Sequence, residues 1–274
     1  MDKKPKGRVL AVAGSDPSGG AGIQADIKTV TALGGYAAAA ITALTVQDTK
    51  GVTGVLPVPA DFVADQMKAV LADIGADCIK TGMLYDTPTI NRVADVLVEN
   101  AHAAAFVLDP VMIATSGDAL LESGAIDLMK ARLFPLATLV TPNTIEASLL
   151  TGVEISGVDD MVQAGEVILA AGAEAVLVKG GHLSGNALAD ILIPSDGDVV
   201  VIESHRVSTR HTHGTGCTMA TAISALLAQG QPLEEAFRQA HTYVRRAIEL
   251  APGFGKGHGP LGHAAAAPYL HTGS

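Results

Sequence analysis

The chain reads as an α/β protein whose mostly parallel central sheet is covered by helices. Three observations point there. Short β-branched runs alternate with longer segments of helical period along the whole chain. Glycine-rich or polar turns follow the ends of successive apolar runs. At 274 residues and 48% hydrophobic the chain can bury a sizeable core, and with 3% aromatics and no Trp that core is fine-grained, so helices can lie close to a sheet.

Residues 2–8 are charged and residues 9–13 apolar, the order of a secretory leader. The apolar part is too short and runs into Gly14-Ser15-Asp16, so it reads as a first buried strand. Further strands are expected at 37–43, 52–58, 77–80, 105–109, 138–141 and 175–179. A hairpin is expected at 188–193 and 199–202, with Ser195-Asp196-Gly197 as its turn. Helical period places helices at 22–33, 60–73, 88–99, 123–133, 143–150, 159–171, 215–228 and 232–250. The last begins with Pro and Glu and ends near Arg245 and Arg246, as helix-end electrostatics favour. No linker, repeat or low-complexity block interrupts the pattern, so one domain over 1–274 is expected. The Gly/His-rich stretch 253–263 reads as an ordered loop or a cover over the site.

A net charge of −10 and a pI near 5.3 argue against a nucleic-acid partner, because neutralising phosphates needs clustered Lys and Arg. No stretch is long and apolar enough to span a bilayer, so no membrane partner is expected. The two cysteines, Cys78 and Cys217, form no disulfide framework and suit a reducing cytoplasm.

The most informative stretch is Thr212-His213-Gly214-Thr215-Gly216-Cys217-Thr218. It joins a strand to an apolar helix, and a glycine turn at a helix start aims unpaired backbone N–H groups at one point. Such a place suits a phosphate or a developing phosphoryl charge. The helix start is also expected to lower the pKa of Cys217. The plainer alternative is a helix entry with an inert, buried cysteine.

A second glycine-rich turn runs from Gly14 to Gly22. It fails as a P-loop, because Gly20 and Ala21 stand where Lys and Ser/Thr belong. It fails as a dinucleotide fingerprint, because it begins too far after its strand. What remains is a tight turn, or a close wall against a flat ligand. Asp26, in the helix that follows, is either an early-helix acid or an acceptor aimed into the crevice. Gln47 could read an amide-like edge or simply bond backbone. Asn143-Thr144-Ile145-Glu146 has the form of a capping box, which its spacing alone favours. The other reading places Glu146 and Asp109 around a hydrated magnesium ion. Lys80 and Lys179 end strands, either solvated or as point charges near phosphates. Spacing does not support a zinc site at His211, His213 and Cys217.

Together these segments resemble the hydroxymethylpyrimidine/phosphomethylpyrimidine kinases of thiamine biosynthesis, within the ribokinase-like superfamily. The likeness rests on residues 14–29 (GSDPSGGAGIQADIKT), 41–49 (ITALTVQDT), 80–84 (KTGML), 108–112 (LDPVM), 141–147 (TPNTIEA), 178–182 (VKGGH) and 212–218 (THGTGCT). It covers nearly the whole chain. The resemblance implies a three-layer α/β/α fold, a homodimer, and the use of ATP and Mg2+. It also implies that Gln47 and Asp26 contact a small-molecule pyrimidine between walls made by Gly14, Met83 and Val111. Asn143, Lys179 and Thr212 would serve the nucleotide, Asp109 and Glu146 the metal, and Gly214, Thr215, Gly216 and Cys217 the anion hole. The chain departs from the family pattern at Asp48, Thr81, Ile145 and at Thr115, where a Lys is expected.

The activity so implied is phosphorylation of 4-amino-5-hydroxymethyl-2-methylpyrimidine and then of its monophosphate. The alternatives are a pyridoxal-type kinase, whose substrate is also a flat heteroaromatic alcohol, and a non-catalytic pyrimidine-binding homologue. A nicotinamide-dependent oxidoreductase is disfavoured by the failed fingerprint.

Overall fold

The computed structural model describes residues 5–100, 103–112, 121, 124–183 and 185–267. Thr115 and the expected start of a helix at 123 lie outside the described residues. The strands are β1 (Arg8–Ser15), β2 (Tyr36–Gln47), β3 (Val52–Pro57), β4 (Cys78–Thr81), β5 (Ala105–Leu108), β6 (Leu139–Val140), β7 (Ala175–Val178), β8 (Ala187–Pro194) and β9 (Val200–His205). The helices are α1 (Gly22–Ala32), α2 (Ala60–Asp73), α3 (Thr87–Asn100), α4 (Ala125–Arg132), α5 (Thr144–Thr151), α6 (Val158–Ala170), α7 (Thr215–Ala228) and α8 (Leu233–Glu249).

All these strands join one sheet, in the order β3-β2-β1-β4-β5-β6-β7-β8-β9. The pairings from β2 through β1, β4, β5 and β6 to β7 are parallel, while β3, β8 and β9 run antiparallel to their neighbours. The expected hairpin is β8–β9. The antiparallel β2–β3 pair was not foreseen from the sequence. Strand order reverses at β1, which β2 and β4 flank; in open α/β sheets ligands bind outside the carboxyl ends of the strands at such a switch point.

Alternating side chains of the parallel strands feed two cores, one on each face. Leu10, Val12, Ile79, Leu108 and Val140 face α2, α3, α4, α5 and α6. Val9, Cys78, Val107, Leu139 and Leu177 face α7 and α8, with α1 beside them. α7 is buried nearly all round; its small Ala220, Ala222 and Ala225 let it lie close to the sheet. α8 is amphipathic, with Ala236, Phe237, Ala240, Val244 and Ala247 inward, and with Glu234 and Glu235 in the first turn and Arg246 in the last. Among the described residues no helix is long and apolar enough to cross a membrane.

Candidate active site

The two glycine turns meet. After β1, Asp16 gathers the first turn around its carboxylate. Oδ2 accepts the N–H groups of Gly20 (3.1 Å) and Ala21 (2.8 Å), and Oδ1 accepts that of Ser18 (2.8 Å). The same Oδ2 lies 2.8 Å from Nε2 of His213, 197 residues away. Burial opposes ionisation of Asp16, but bonds from His213, Ser18 and Ala21 outweigh it and hold the carboxyl below its ordinary range. His213 Nε2 therefore carries the proton and donates to it. The Gln47 amide comes within 3.4 Å of that ring nitrogen, and Thr45 ties Gln47 Oε1 (3.2 Å) to the Ser15 carbonyl (2.8 Å). Gly214 caps α7 at φ 81°, and any side chain there would strike the Gly20 carbonyl, so the turns interlock.

At the start of α7, both the N–H and the hydroxyl of Thr215 turn back to the Thr212 carbonyl, at 3.2 and 2.8 Å. Thr218 N–H bonds the Gly214 carbonyl at 2.8 Å. Among the described residues the N–H groups of Gly216 and Cys217 have no acceptor. A Cβ built on Gly216 would stand 3.2 Å from Lys179 Nζ, which puts an ammonium beside these two donors. Two free donors, a helix N-terminus and a cation suit an anion.

A second polar cluster is built at the ends of β5, β6 and β7. Lys179 Nζ bonds Asp109 Oδ1 at 2.9 Å, and the Thr141 hydroxyl bonds the same oxygen at 3.1 Å. Lys179 N–H bonds the Pro142 carbonyl, drawing Asn143 alongside. The capping box is present: Glu146 N–H donates to Asn143 Oδ1 (2.9 Å) and Asn143 N–H to Glu146 Oε2 (2.8 Å). Cap and metal readings are compatible in this geometry. Burial pushes the Glu146 carboxyl up to about 7, with Lys179 pulling down and Asp109 pushing up. Lys179 keeps its charge because Asp109 and Glu146 outweigh its burial. Two oxygen donors of this kind suit Mg2+, which retains waters and shares its remaining positions with phosphates. Zinc is not supported: among the described residues no three His, Cys, Asp or Glu side chains are grouped to hold a metal.

Gly14 and Met83 face each other across the switch point; a Cβ on Gly14 would lie 3.2 Å from Met83 Sδ. Val111, half-buried, follows Asp109 and bonds back to its carbonyl. The structure brings Gly14 and Met83 together, while Val111 follows the end of β5 and Gln47 ends β2. Asp26 does not join them. It is 0% exposed, its carboxylate lies 3.0 and 3.2 Å from Lys80 Nζ, and it accepts the Thr221 hydroxyl. Lys80, also 0% exposed, is not a solvated strand end. Removing one member of a buried ion pair costs about 3–5 kcal/mol, so Asp26 is committed to this pair.

The expected depression of the Cys217 pKa is also corrected. Burial pushes the thiol up to about 11; Lys80 pulls it down, while Asp109 and Asp26 push it up. Desolvation exceeds the helix-start effect, so Cys217 is a thiol at neutral pH. The 253–263 stretch is an ordered strap. His258 N–H bonds the Thr49 carbonyl (2.7 Å), Gly257 N–H bonds Thr49 Oγ1 (3.1 Å), and His213 N–H bonds the Gly259 carbonyl (3.1 Å). It fastens the loop after Gln47 to the anion turn. Sequence reasoning missed the pairing of Asp16 with His213 and of Lys80 with Asp26; neither has a local signature.

The model of the phosphomethylpyrimidine kinase family matches residues 16–262. The chain belongs to that family. It is 48% identical over 258 residues to the hydroxymethylpyrimidine/phosphomethylpyrimidine kinase of Rhizobium meliloti, covering 93% of this chain and 96% of that one. It is 51% identical over 264 residues to the thiamine biosynthesis bifunctional protein of Geobacter sulfurreducens. That match takes 96% of this chain but only 53% of the larger protein. Among solved structures, an ADP complex of Bacillus subtilis pyridoxal kinase superposes with a TM-score of 0.87 at 35% identity, covering 95% of this chain and 98% of that one. The fold is therefore the ribokinase-like one, and the activity is phosphotransfer.

Proposed function

We propose that this kinase transfers the γ-phosphoryl group of ATP to 4-amino-5-hydroxymethyl-2-methylpyrimidine, and then extends the monophosphate to the diphosphate. What supports this reading is the pair of unpaired N–H groups at Gly216 and Cys217 beside Lys179, with Gly14 and Met83 close together; Gly14, Met83 and Val111 would be the walls of the substrate site and Gln47 its edge. The flat ring would lie between the walls. Gln47, braced by Thr45, would read its polar edge. In the first step the alcohol oxygen attacks the γ-phosphorus, the bond to ADP breaks, and the alcohol proton passes to the transferred group late in a loose transition state. The N–H groups of Gly216 and Cys217, with Lys179, receive the charge of the transferring group. The Cys217 thiol, protonated at neutral pH, orients the alcohol. Asn143, Thr212 and Lys179 would hold the nucleotide. Magnesium, when bound through Asp109 and Glu146, neutralises nucleotide phosphate charge. The second step has a phosphate nucleophile that is already charged and needs no base.

We also propose that the whole chain acts as one domain, in the cytoplasm, as a homodimer. Two free thiols suit the location. Leu44, Val46 and Leu56 project from one face of β2–β3 at 45%, 65% and 65% exposure, an apolar patch suited to a second copy. A monomeric mass by light scattering at micromolar protein would contradict the dimer.

The deciding experiment incubates the protein with MgATP and separate pools of hydroxymethylpyrimidine and pyridoxal, and identifies products by mass. Pyrimidine mono- and diphosphate are expected. Phosphorylation confined to pyridoxal would favour the activity of the structural neighbour, and ATP left unconsumed with both pools would mean a binding protein.

A further inference from the structure

Beneath the anion site lies a buried polar rung that the transfer reaction does not touch. α1 and α7 run side by side with their N-termini level. Gly22 N–H, at the first residue of α1, points at Cys217 Sγ in the first turn of α7. Four residues further along each helix, Asp26 accepts the Thr221 hydroxyl. Residues four apart share a helix face, so Cys217 and Thr221 look across to Gly22 and Asp26 in register. Lys80, from the carboxyl end of β4, closes the rung with its ammonium on both Asp26 oxygens. Both ions are 0% exposed, so solvent does not screen them.

A pair kept only to join three elements could as well be apolar, since a buried ion pair gives little net stability over a hydrophobic substitute. This one meets α7 one helical turn beyond the thiol, near the positive ends of two helix dipoles. We infer that Lys80 is a positioning residue for phosphorylation of the alcohol: held in register by Asp26 and Thr221, its charge supplies positive potential to Cys217 and to the alcohol oxygen above it. Lys80 never meets substrate. It acts through the thiol, and the inference rests on the kinase reading only for its kinetic readout. Burial opposes the charge on Lys80, and Asp26 keeps it charged nonetheless. Of the charged groups acting on the Cys217 thiol, Lys80 is the strongest.

The test is the double substitution Asp26→Asn, Lys80→Gln, which removes both charges while leaving an amide pair to fill the space and accept the Thr221 hydroxyl. Two readouts are taken on the folded protein. One is the rate of iodoacetamide alkylation at pH 8, with the Cys217 peptide identified by mass, which needs no substrate. The other is the kcat and KM for the alcohol in MgATP. Alkylation slowed roughly tenfold, with kcat lowered by a similar factor and KM within about twofold, is expected. Wild-type alkylation and kcat would reduce the rung to a structural tie and overturn the inference. If the double variant does not accumulate folded, Thr221→Val leaves both ions but offsets Asp26 less, so Cys217 alkylation and kcat should again fall; wild-type values there would overturn it equally. Slowed alkylation with no kinase activity in wild type would sink the functional reading and leave the electrostatic one standing.

Discussion

Replacing Glu146 by Gln separates a helix cap from a metal ligand, and the structure sets the size of the effect. The carboxyl is raised from 4.5 to about 7, chiefly by burial. The folded chain thus holds this proton more tightly than the unfolded chain does. Stability is fullest below pH 4.5 and is lost as the pH rises toward 7, by about 3 kcal/mol in all. Gln cannot ionise and has no such slope. It does lose one of two acceptor oxygens, because the N–H groups of Asn143 and Met112 both bond the carboxylate. That costs about 1 kcal/mol at every pH. Glu146→Gln should therefore be about 1 kcal/mol less stable than wild type at pH 4 and about 2 kcal/mol more stable at pH 8. Urea unfolding at the two pH values, without metal or nucleotide, measures both. The same variant should need more magnesium for half-maximal activity. A variant less stable at pH 8 as well, with an unchanged magnesium requirement, would show that Glu146 is a cap and nothing more.

Four further outcomes follow from the site. Gln47→Leu should lower kcat/KM for the pyrimidine by roughly tenfold or more, because its ring edge is left unpaired, while KM for ATP stays near wild type; equal pyrimidine kinetics would remove Gln47 from the site. Cys217→Ala should slow alcohol phosphorylation by less than the roughly 10²–10⁴-fold cost of losing a general base, and slow the second step less still; equal losses in separately assayed steps would mean that the residue only shapes the anion hole. Cys217→Asp should retain the first step in the same assays. Asp109→Asn should raise the magnesium requirement, as measured by titrating the metal at fixed ATP, and an unmoved midpoint would take Asp109 out of the metal site.

The layers of the fold were legible because they are written locally. The continuous apolar run Val9 to Ala13, and the helical spacing of Ala236, Phe237, Ala240 and Val244, announce their elements within a few residues. The glycine turns were legible for the same reason, and the structure shows them interlocked. What was not legible depends on distant partners. Asp26 looked like an acceptor aimed at a ligand because Lys80 is 54 residues away and Thr221 is 195 away. His213 reads as part of a glycine turn with no partner named, because Asp16 lies 197 residues away. Cys217 was misjudged in direction because helix-start electrostatics is visible in sequence, whereas burial is not. The antiparallel β2–β3 pair escaped notice because the link 48–51 lacks a two-residue hairpin signature.

The strap carries a consequence for how the molecule comes into being. The sheet extends stepwise from β1 through β4 to β9, each strand laid beside one made shortly before, so much of the scaffold can form while the chain is still on the ribosome. The crevice cannot. Asp16 waits for His213, and the loop at Thr49 waits for residues 257–259, 208 residues after it for Gly257. Until that late segment docks, the nascent protein is a nearly complete fold with an unfinished active site. Catalytic competence should then lag behind protease resistance during refolding, by the time needed to close the longest loops in the structure.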